Sequence, residues 1–269
     1  MSTQKIGLIG TGNMGAAMVK GWIRADPGMA GRITVADAVS SSARRLARET
    51  GVAIARSNVE LVKKSDLVLI AVKPADIESA LEDTLELFGR GKILVSVAAG
   101  RTILSLETIF PVDVAVFRLM PNVAVEVNAG TICLASGNNV DVQTEEEVSD
   151  LFNLVGRVIV LPENLFPAAT AIGGSGPGFL ALIADAFIDG GIMAGLPAPM
   201  AREITTSMLH GASKLLMEQA LLPSELRHRV TSPAGTTASG IAHLERAGVR
   251  SAIIDAVQMA AGRSSELGK

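Results

Sequence analysis

Cysteine is almost missing from this chain: Cys133 is the only one, which excludes a disulfide within the chain. It lies in the apolar run TICLA, where a small buried hydrophobe is expected rather than a nucleophile. Positive charge is not in excess either. Lys and Arg number 24 against 27 Asp and Glu, a formal net charge of -3, so there is no basic field to gather nucleic acid or anionic lipid. No nucleic-acid partner is expected. No apolar run is read as approaching the roughly 18 residues of a membrane span, and the start MSTQKIGLIG enters a strand without a charged-then-apolar leader. A cytoplasmic location with no membrane partner is the expectation. Histidine is scarce and scattered: His210, His228 and His243 fall in separate helical segments and are expected to stay out of the chemistry. No His/Cys cluster has metal-ligand spacing, so no metal site is expected, and neither an internal repeat nor a low-complexity tail is found.

What remains is a chain of 269 residues, 48% hydrophobic and 19% charged, long enough for two modest domains with substantial cores. Up to about residue 160, short apolar runs alternate with segments of helical period. KIGLIG, ITVA, DLVLIAV, KILVSV, VAVFR, GTICLA and RVIVL read as strands bounded by glycine, proline or polar residues. Ser57 with Glu60, and Thr144 with Glu147, fit the reciprocal hydroxyl and carboxylate pattern of a helix start. The repeated strand, helix, strand order implies a mainly parallel, doubly wound sheet. After PENLFP the pattern changes, and FLALIADAFIDGGIMAG, PMAREITTSMLHGASKLLMEQAL, GTTASGIAHLERAG and VRSAIIDAVQMAAGRSSEL all repeat apolar residues at three and four. An α/β domain over 1–162 and an all-helical domain over 163–269 are therefore expected. The second is too apolar to hide its surface alone, which predicts a large dimer interface there.

IGLIGTGNMG carries the first chemical signal. Gly10 permits a tight turn, Gly12 lets a pyrophosphate approach the backbone, and Gly15 lets the helix pack close with its N-terminus toward the phosphates. Asp37 ends the second strand about 20 residues later, where a ribose 2'-hydroxyl is read. A carboxylate there accepts a hydrogen bond from a free hydroxyl and repels a 2'-phosphate, which favours NADH over NADPH. Ser40, Ser41, Ser42, Arg44 and Arg45 just downstream argue the other way, since they could cradle a phosphate. AVKP (Ala71 to Pro74), SVAAG (Ser96 to Gly100) and RLMPN (Arg118 to Asn122) each follow a strand, where open parallel sheets bind ligands, although each also reads as plain strand punctuation. TSPAGTTASG, Thr231 to Gly240, has the form of a binding loop entering a helix yet contains no histidine, cysteine, acid or base.

These runs, together with GGSGP, DGG, GLP and above all LRHRVTSPAGTTASGIAHLE, resemble the pyrroline-5-carboxylate reductase family over nearly the whole chain. The resemblance implies a Rossmann domain followed by a helical dimerisation domain, and NAD(P)H-dependent reduction of the cyclic imine carboxylate pyrroline-5-carboxylate to proline. It implies a homo-oligomer, a dimer or a larger ring of dimers, joined through the carboxyl-terminal helices. Carried over, Gly10, Gly12, Asn13, Met14 and Gly15 line the pyrophosphate and Asn58 lies near the adenosine ribose. Val72, Lys73 and Pro74 flank the middle of the cofactor, while Ala98 and Asn122 lie near the nicotinamide end. Ser232 and the peptide groups of Gly235, Thr236 and Thr237 hold the substrate carboxylate, with the Thr237 hydroxyl facing the ring nitrogen as the catalytic group. Three positions depart from the family pattern: Ala234 replaces a usual glycine, Val123 and Ala124 replace a common Thr-Pro, and Asp37 stands where a small polar residue is frequent.

An imine carbon is already electrophilic and a nicotinamide supplies hydride, so a loop of hydroxyls and peptide groups suits the reaction. The rivals are a related imine or β-hydroxyacid reductase and a cofactor-binding sensor without turnover. The β-hydroxyacid enzymes need a general acid, usually a lysine on the first long helix after the domain junction, and GGSGPGFLALIADAF has none.

Overall fold

The computed structural model describes residues 4–89, 91–110 and 114–267. They form two compact units, Met1–Ser175 with Ala260–Lys269, and Gly176–Met259.

In the first unit, β1 (Ile6–Ile9), β2 (Ile33–Ala36), β3 (Ala53–Ile54), β4 (Leu67–Ile70), β5 (Ile93–Ser96), β6 (Ala115–Pro121), β7 (Gly130–Ser136) and β8 (Gly156–Val160) make one sheet. Its order is β3-β2-β1-β4-β5-β6-β7-β8, and every pairing is parallel except β6 with β7. The central strands read as continuous apolar runs because helices cover both faces. In β4, Leu67 and Leu69 enter one core, with Trp22, Phe117 and Phe152. Val68 and Ile70 enter the other, with Leu61, Phe110 and Phe166. All seven expected strands are present. The eighth, β3, was not foreseen: it is two exposed residues at the sheet edge, too short to show a period.

The helices of this unit are α1 (Asn13–Ala25), α2 (Ser40–Thr50), α3 (Asn58–Lys64), α4 (Ile77–Leu81), α5 (Ile103–Glu107), α6 (Val142–Asn153) and α7 (Phe166–Ala169). Ser57 caps α3 as expected, accepting from Glu60 N, but the Glu60 carboxylate reaches Arg56 N rather than the cap's own N–H. Thr144 does not cap α6. That role falls to Asp141, which accepts from Thr144 N and whose carboxyl is held below its usual range by that backbone bond. The helix already starts at Val142, so Thr144 is inside its first turn and gives its N–H to the Asp141 cap. The unit continues to Ser175, beyond the expected limit at 162, because Phe166 and Ala171 are buried.

The second unit is helical, as expected: α8 (Gly176–Met193), α9 (Ala198–Glu218), α10 (Pro223–Arg229), α11 (Thr236–Arg246) and most of α12 (Val249–Leu267). Only α10 was absent from the sequence reading. Helices α8, α10, α11 and α12 have no buried residue among those described, and Leu182 and Met193 are 73% and 88% exposed. One expectation needs correcting. The helical run Glu163–Met193 has 31 residues and an 18-residue window of mean hydropathy 1.5, so by length and composition it is long and apolar enough to cross a membrane. Its alanines and glycines hid it from a search for unbroken large apolar residues.

Trp22 is fully buried, donates from Nε1 to Leu151 O at 3.0 Å and lies 5.4 Å from the Phe152 ring centroid. Trp22→Ala should lower the unfolding free energy by about 3–5 kcal/mol in urea titration. A loss below about 1 kcal/mol would contradict this packing.

Candidate active site

The chain runs outward from β1 through β2 to β3, then returns to place β4 on the other side of β1, so the sheet reverses between β1 and β4. Ligands bind outside the strand ends at such a reversal. Here Gly10 has φ 98°, and a Cβ on it would lie 2.7 Å from Ala71 O. A Cβ on Gly15 would lie 2.1 Å from Gly10 O, which fixes how closely α1 approaches the turn. A Cβ on Gly12 would meet nothing within 4 Å, so the turn is open on its outer side. Gly12 is also the N-cap of α1 and supplies no side-chain bond. The first-turn N–H groups of α1, beginning at the exposed Asn13 and the half-buried Met14, therefore carry no side-chain cap and can take an anion. These features fit a dinucleotide pyrophosphate.

Val72 adjoins this turn: its Cγ1 is 3.0 Å from the Cβ position of Gly10. Lys73 is extended and exposed, and Pro74 begins a short 3-10 turn. Asp37 stands where the ribose reader was expected, and its carboxylate is also structural. Oδ2 accepts from Thr11 N at 2.6 Å and Thr11 Oγ1 at 2.8 Å, while Oδ1 accepts from Val39 N at 2.8 Å. Asn58 donates through Nδ2 to Ala80 O at 2.8 Å, which leaves its Oδ1 free of any bond among the described residues.

Beyond β5 and β6 lies a cavity of about 240 Å³, lined by Met14, Val97, Ala98, Ala99, Gly100, Arg118, Met120, Pro121, Phe166, Thr170 and Gly174 among others. It joins the SVAAG and RLMPN runs to the first turn of α1. A hollow of about 400 Å³ lined by Gln4, Asp26, Met29 and Glu147 lies at the start of β1, away from the glycine turn. Asn122 is buried beside the smaller cavity, but its side chain is committed elsewhere. Nδ2 donates to Gly173 O at 2.9 Å, and Oδ1 accepts from Ala124 N at 3.2 Å and Thr131 N at 3.3 Å. It braces the π-helical turn Thr170–Gly174 against β7.

Glu163 was missed by sequence reasoning. Its Oε1 accepts from Ile103 N and from Arg118 Nη1, both at 2.8 Å, tying the start of α5 and the middle of β6 to the segment behind the cavity. A lone glutamate after proline is its only sequence signal. Arg101 follows SVAAG and pairs with Glu78 at 2.6 Å, and its Nε is the one buried side-chain polar atom without a partner among the described residues.

In the second unit, Gly235 is the N-cap of α11 and again supplies no side-chain bond, leaving the N–H groups of Thr236 and Thr237 uncapped. Thr237 is half-buried and Ser232 exposed. A Cβ on Gly235 would lie 2.3 Å from Ser232 Oγ, so a side chain here would turn the Ser232 hydroxyl away from its present place. Ala234 has φ 58°, a left-handed conformation that costs a non-glycine residue about 1–2 kcal/mol. The residue expected to be glycine thus keeps a glycine's backbone. Cys133 is buried, and desolvation pushes its thiol up, away from nucleophilic use. His210, His228 and His243 are exposed on three different helices, and α8 carries no lysine.

Residues 163–267 match a family model described as pyrroline-5-carboxylate reductase dimerisation, and residues 5–100 match one described as NADP oxidoreductase coenzyme F420-dependent. The chain is 35% identical to the pyrroline-5-carboxylate reductase of Methanosarcina acetivorans, across 100% of both chains. This chain belongs to the pyrroline-5-carboxylate reductase family. A solved pyrroline-5-carboxylate reductase from Coxiella burnetii superposes with a TM-score of 0.90 at 30% identity, covering all of both chains. The pyrroline carboxylate reductase of Plasmodium falciparum, solved with NADP bound, gives 0.88 at 26% identity, also over 100% of each chain. Membership of this reductase family accounts for both halves of the architecture, and the glycine turn fits a nicotinamide dinucleotide.

Since Gly12 faces open space, Gly12→Ala should leave the melting temperature unchanged while weakening dinucleotide binding by about tenfold or more, read by NADH and NADPH fluorescence titration. Unchanged affinity would show that no pyrophosphate comes onto this turn.

Proposed function

We infer that this chain reduces 1-pyrroline-5-carboxylate to proline, the last step of proline biosynthesis, with hydride from a reduced nicotinamide dinucleotide. The observation that carries the reading is the presence, in a chain of this family, of two helix N-termini without side-chain caps: α1 behind the glycine turn and α11 behind Ser232 and Gly235. Each is suited to an anion, one the cofactor pyrophosphate and the other the substrate carboxylate. Gly10, Gly12, Asn13, Met14 and Gly15 form the first seat. Val72, Lys73 and Pro74 border the middle of the cofactor and Ala98 its reactive end, with Asn58 toward the adenosine ribose. Ser232 Oγ and the peptide groups of Gly235, Thr236 and Thr237 form the second seat.

When bound, the dinucleotide supplies the hydride. The protein's part is placement, because an imine carbon with a protonated nitrogen needs no further acid. The Thr237 hydroxyl accepts a hydrogen bond from that N–H and fixes the ring as the carbon approaches hydride. Asn122 acts through Gly173, holding the cavity wall in place.

Asp37 favours NADH. Its carboxylate is fixed at the end of β2 by Thr11 and Val39, where it accepts from a ribose hydroxyl and opposes a 2'-phosphate. Arg44 donates one of its several N–H groups to Ser40 Oγ at 2.8 Å. The apolar surface of α8 to α12 is covered by a second copy of the chain, in a dimer or a ring of dimers, and that cover, rather than lipid, explains the long apolar run at 163–193. With its net charge of -3 the chain has no nucleic-acid partner, and the cytoplasm is its place of action.

Thr237→Ala should lower kcat about tenfold or more, the loss of a hydrogen bond worth about 1–2 kcal/mol in the transition state. Turnover equal to wild type would remove the role given to this hydroxyl. Asp37→Ser should shift the ratio of kcat/KM values toward NADPH, and a wild-type enzyme that already prefers NADPH strongly would overturn the reading of Asp37.

A further inference from the structure

Arg118 stands in the middle of β6 and lines the cavity beside Ala98, Gly100 and Met120, in walls that are otherwise small or apolar. Its side chain is only 14% exposed. Two contacts immobilise it: Nη1 donates to Glu163 Oε1 at 2.8 Å, and the guanidinium carbon lies 4.7 Å from the Phe166 ring centroid. Glu163 is itself fixed by Ile103 N. The remaining guanidinium N–H groups have no partner among the described residues and are not sealed from solvent, so they are available to the cavity. A planar fork with one edge tied down and another open is a preorganised donor.

We propose that Arg118 is a further cofactor-binding residue, donating to the carboxamide oxygen of the nicotinamide and so setting which ring face turns toward the substrate. This rests on the reductase reading above. Charge selects the occupant. Arg118 and Glu163 together are neutral, so the pair offers little net positive field to an anion. A neutral carbonyl acceptor meets only the donor. Few, fixed polar groups in an apolar cavity are what orient a flat ligand. Glu163 is then a positioning residue that holds the fork in its plane.

The test compares whole cofactors with fragments that lack the nicotinamide, by calorimetric titration of the full chain: NADH against ADP-ribose, and NADPH against 2'-phospho-ADP-ribose. Arg118→Ala should weaken NADH and NADPH binding by about tenfold and leave both fragments within about twofold of wild type. Arg118→Lys, which keeps a cationic donor, should restore part of the loss and keeps the test decisive if the alanine variant does not fold. Equal weakening of fragments and whole cofactors would assign Arg118 a purely structural role, and unchanged binding of all four would show that it makes no contact; either overturns the proposal. A wild-type chain that binds neither the cofactors nor the fragments would instead remove the reductase reading on which the proposal rests.

Discussion

The approach of α1 to the turn after β1 is the constraint from which the nucleotide half of the site follows. With hydrogen alone at Gly15, the helix comes close enough that a Cβ would overlap Gly10 O. That closeness aims the helix N-terminus at the sheet's point of reversal, and Gly12, which offers no side chain, leaves its N–H groups free. Asp37 completes the turn from the next strand by holding Thr11 through two bonds. One carboxylate thus shapes the glycine turn and stands charged at the end of β2. The start of α11 is likewise without a side-chain cap, since Gly235 stands at its N-cap. Two helix starts without side-chain caps suit the proposed reaction, which joins a dinucleotide to a carboxylate and requires little else from side chains.

The second constraint is surface. In the first unit, Trp22, Phe117, Phe152 and Phe166 are all buried, and the sheet has a core on each face. In the second, the large apolar side chains of α8 and α12 stand open in the single chain. Covering a leucine or methionine is worth about 1.5–3 kcal/mol. That composition favours association with a second copy, in keeping with the dimerisation family that residues 163–267 match. A helix long and apolar enough for a membrane is equally what a subunit interface requires.

Much of this was legible in the sequence, for physical reasons. Strands buried on both faces announce themselves as apolar runs, and glycine at a turn and an uncapped helix start are local features. What escaped depends on distant partners. Asn122 follows Pro121, which lines the cavity, yet its side chain reaches Gly173, 51 positions away, a bond that no local pattern shows. Glu163 pairs with Arg118 across 45 positions, and only the fold makes Glu163 the brace of a side chain that lines the cavity. Thr144 failed as a cap because the helix begins a turn earlier, at the Asp141 cap, and β3 is too short to carry any period. The left-handed backbone of Ala234 shows the converse: the loop keeps its shape where the residue departs from pattern, because the turn before α11 demands it.

The central claim is that hydride passes directly from cofactor to an imine carbon in a site that contributes placement rather than acid or base. Its most direct test is isotopic: incubate the enzyme with pyrroline-5-carboxylate and cofactor deuterated at the transferring position of nicotinamide C4, then locate the label by mass spectrometry and NMR. The account predicts one deuterium per cofactor oxidised, on the nitrogen-bound ring carbon of proline that does not carry the carboxylate, and in a single configuration. Cofactor consumed without label in proline, or label lost to solvent, would contradict it.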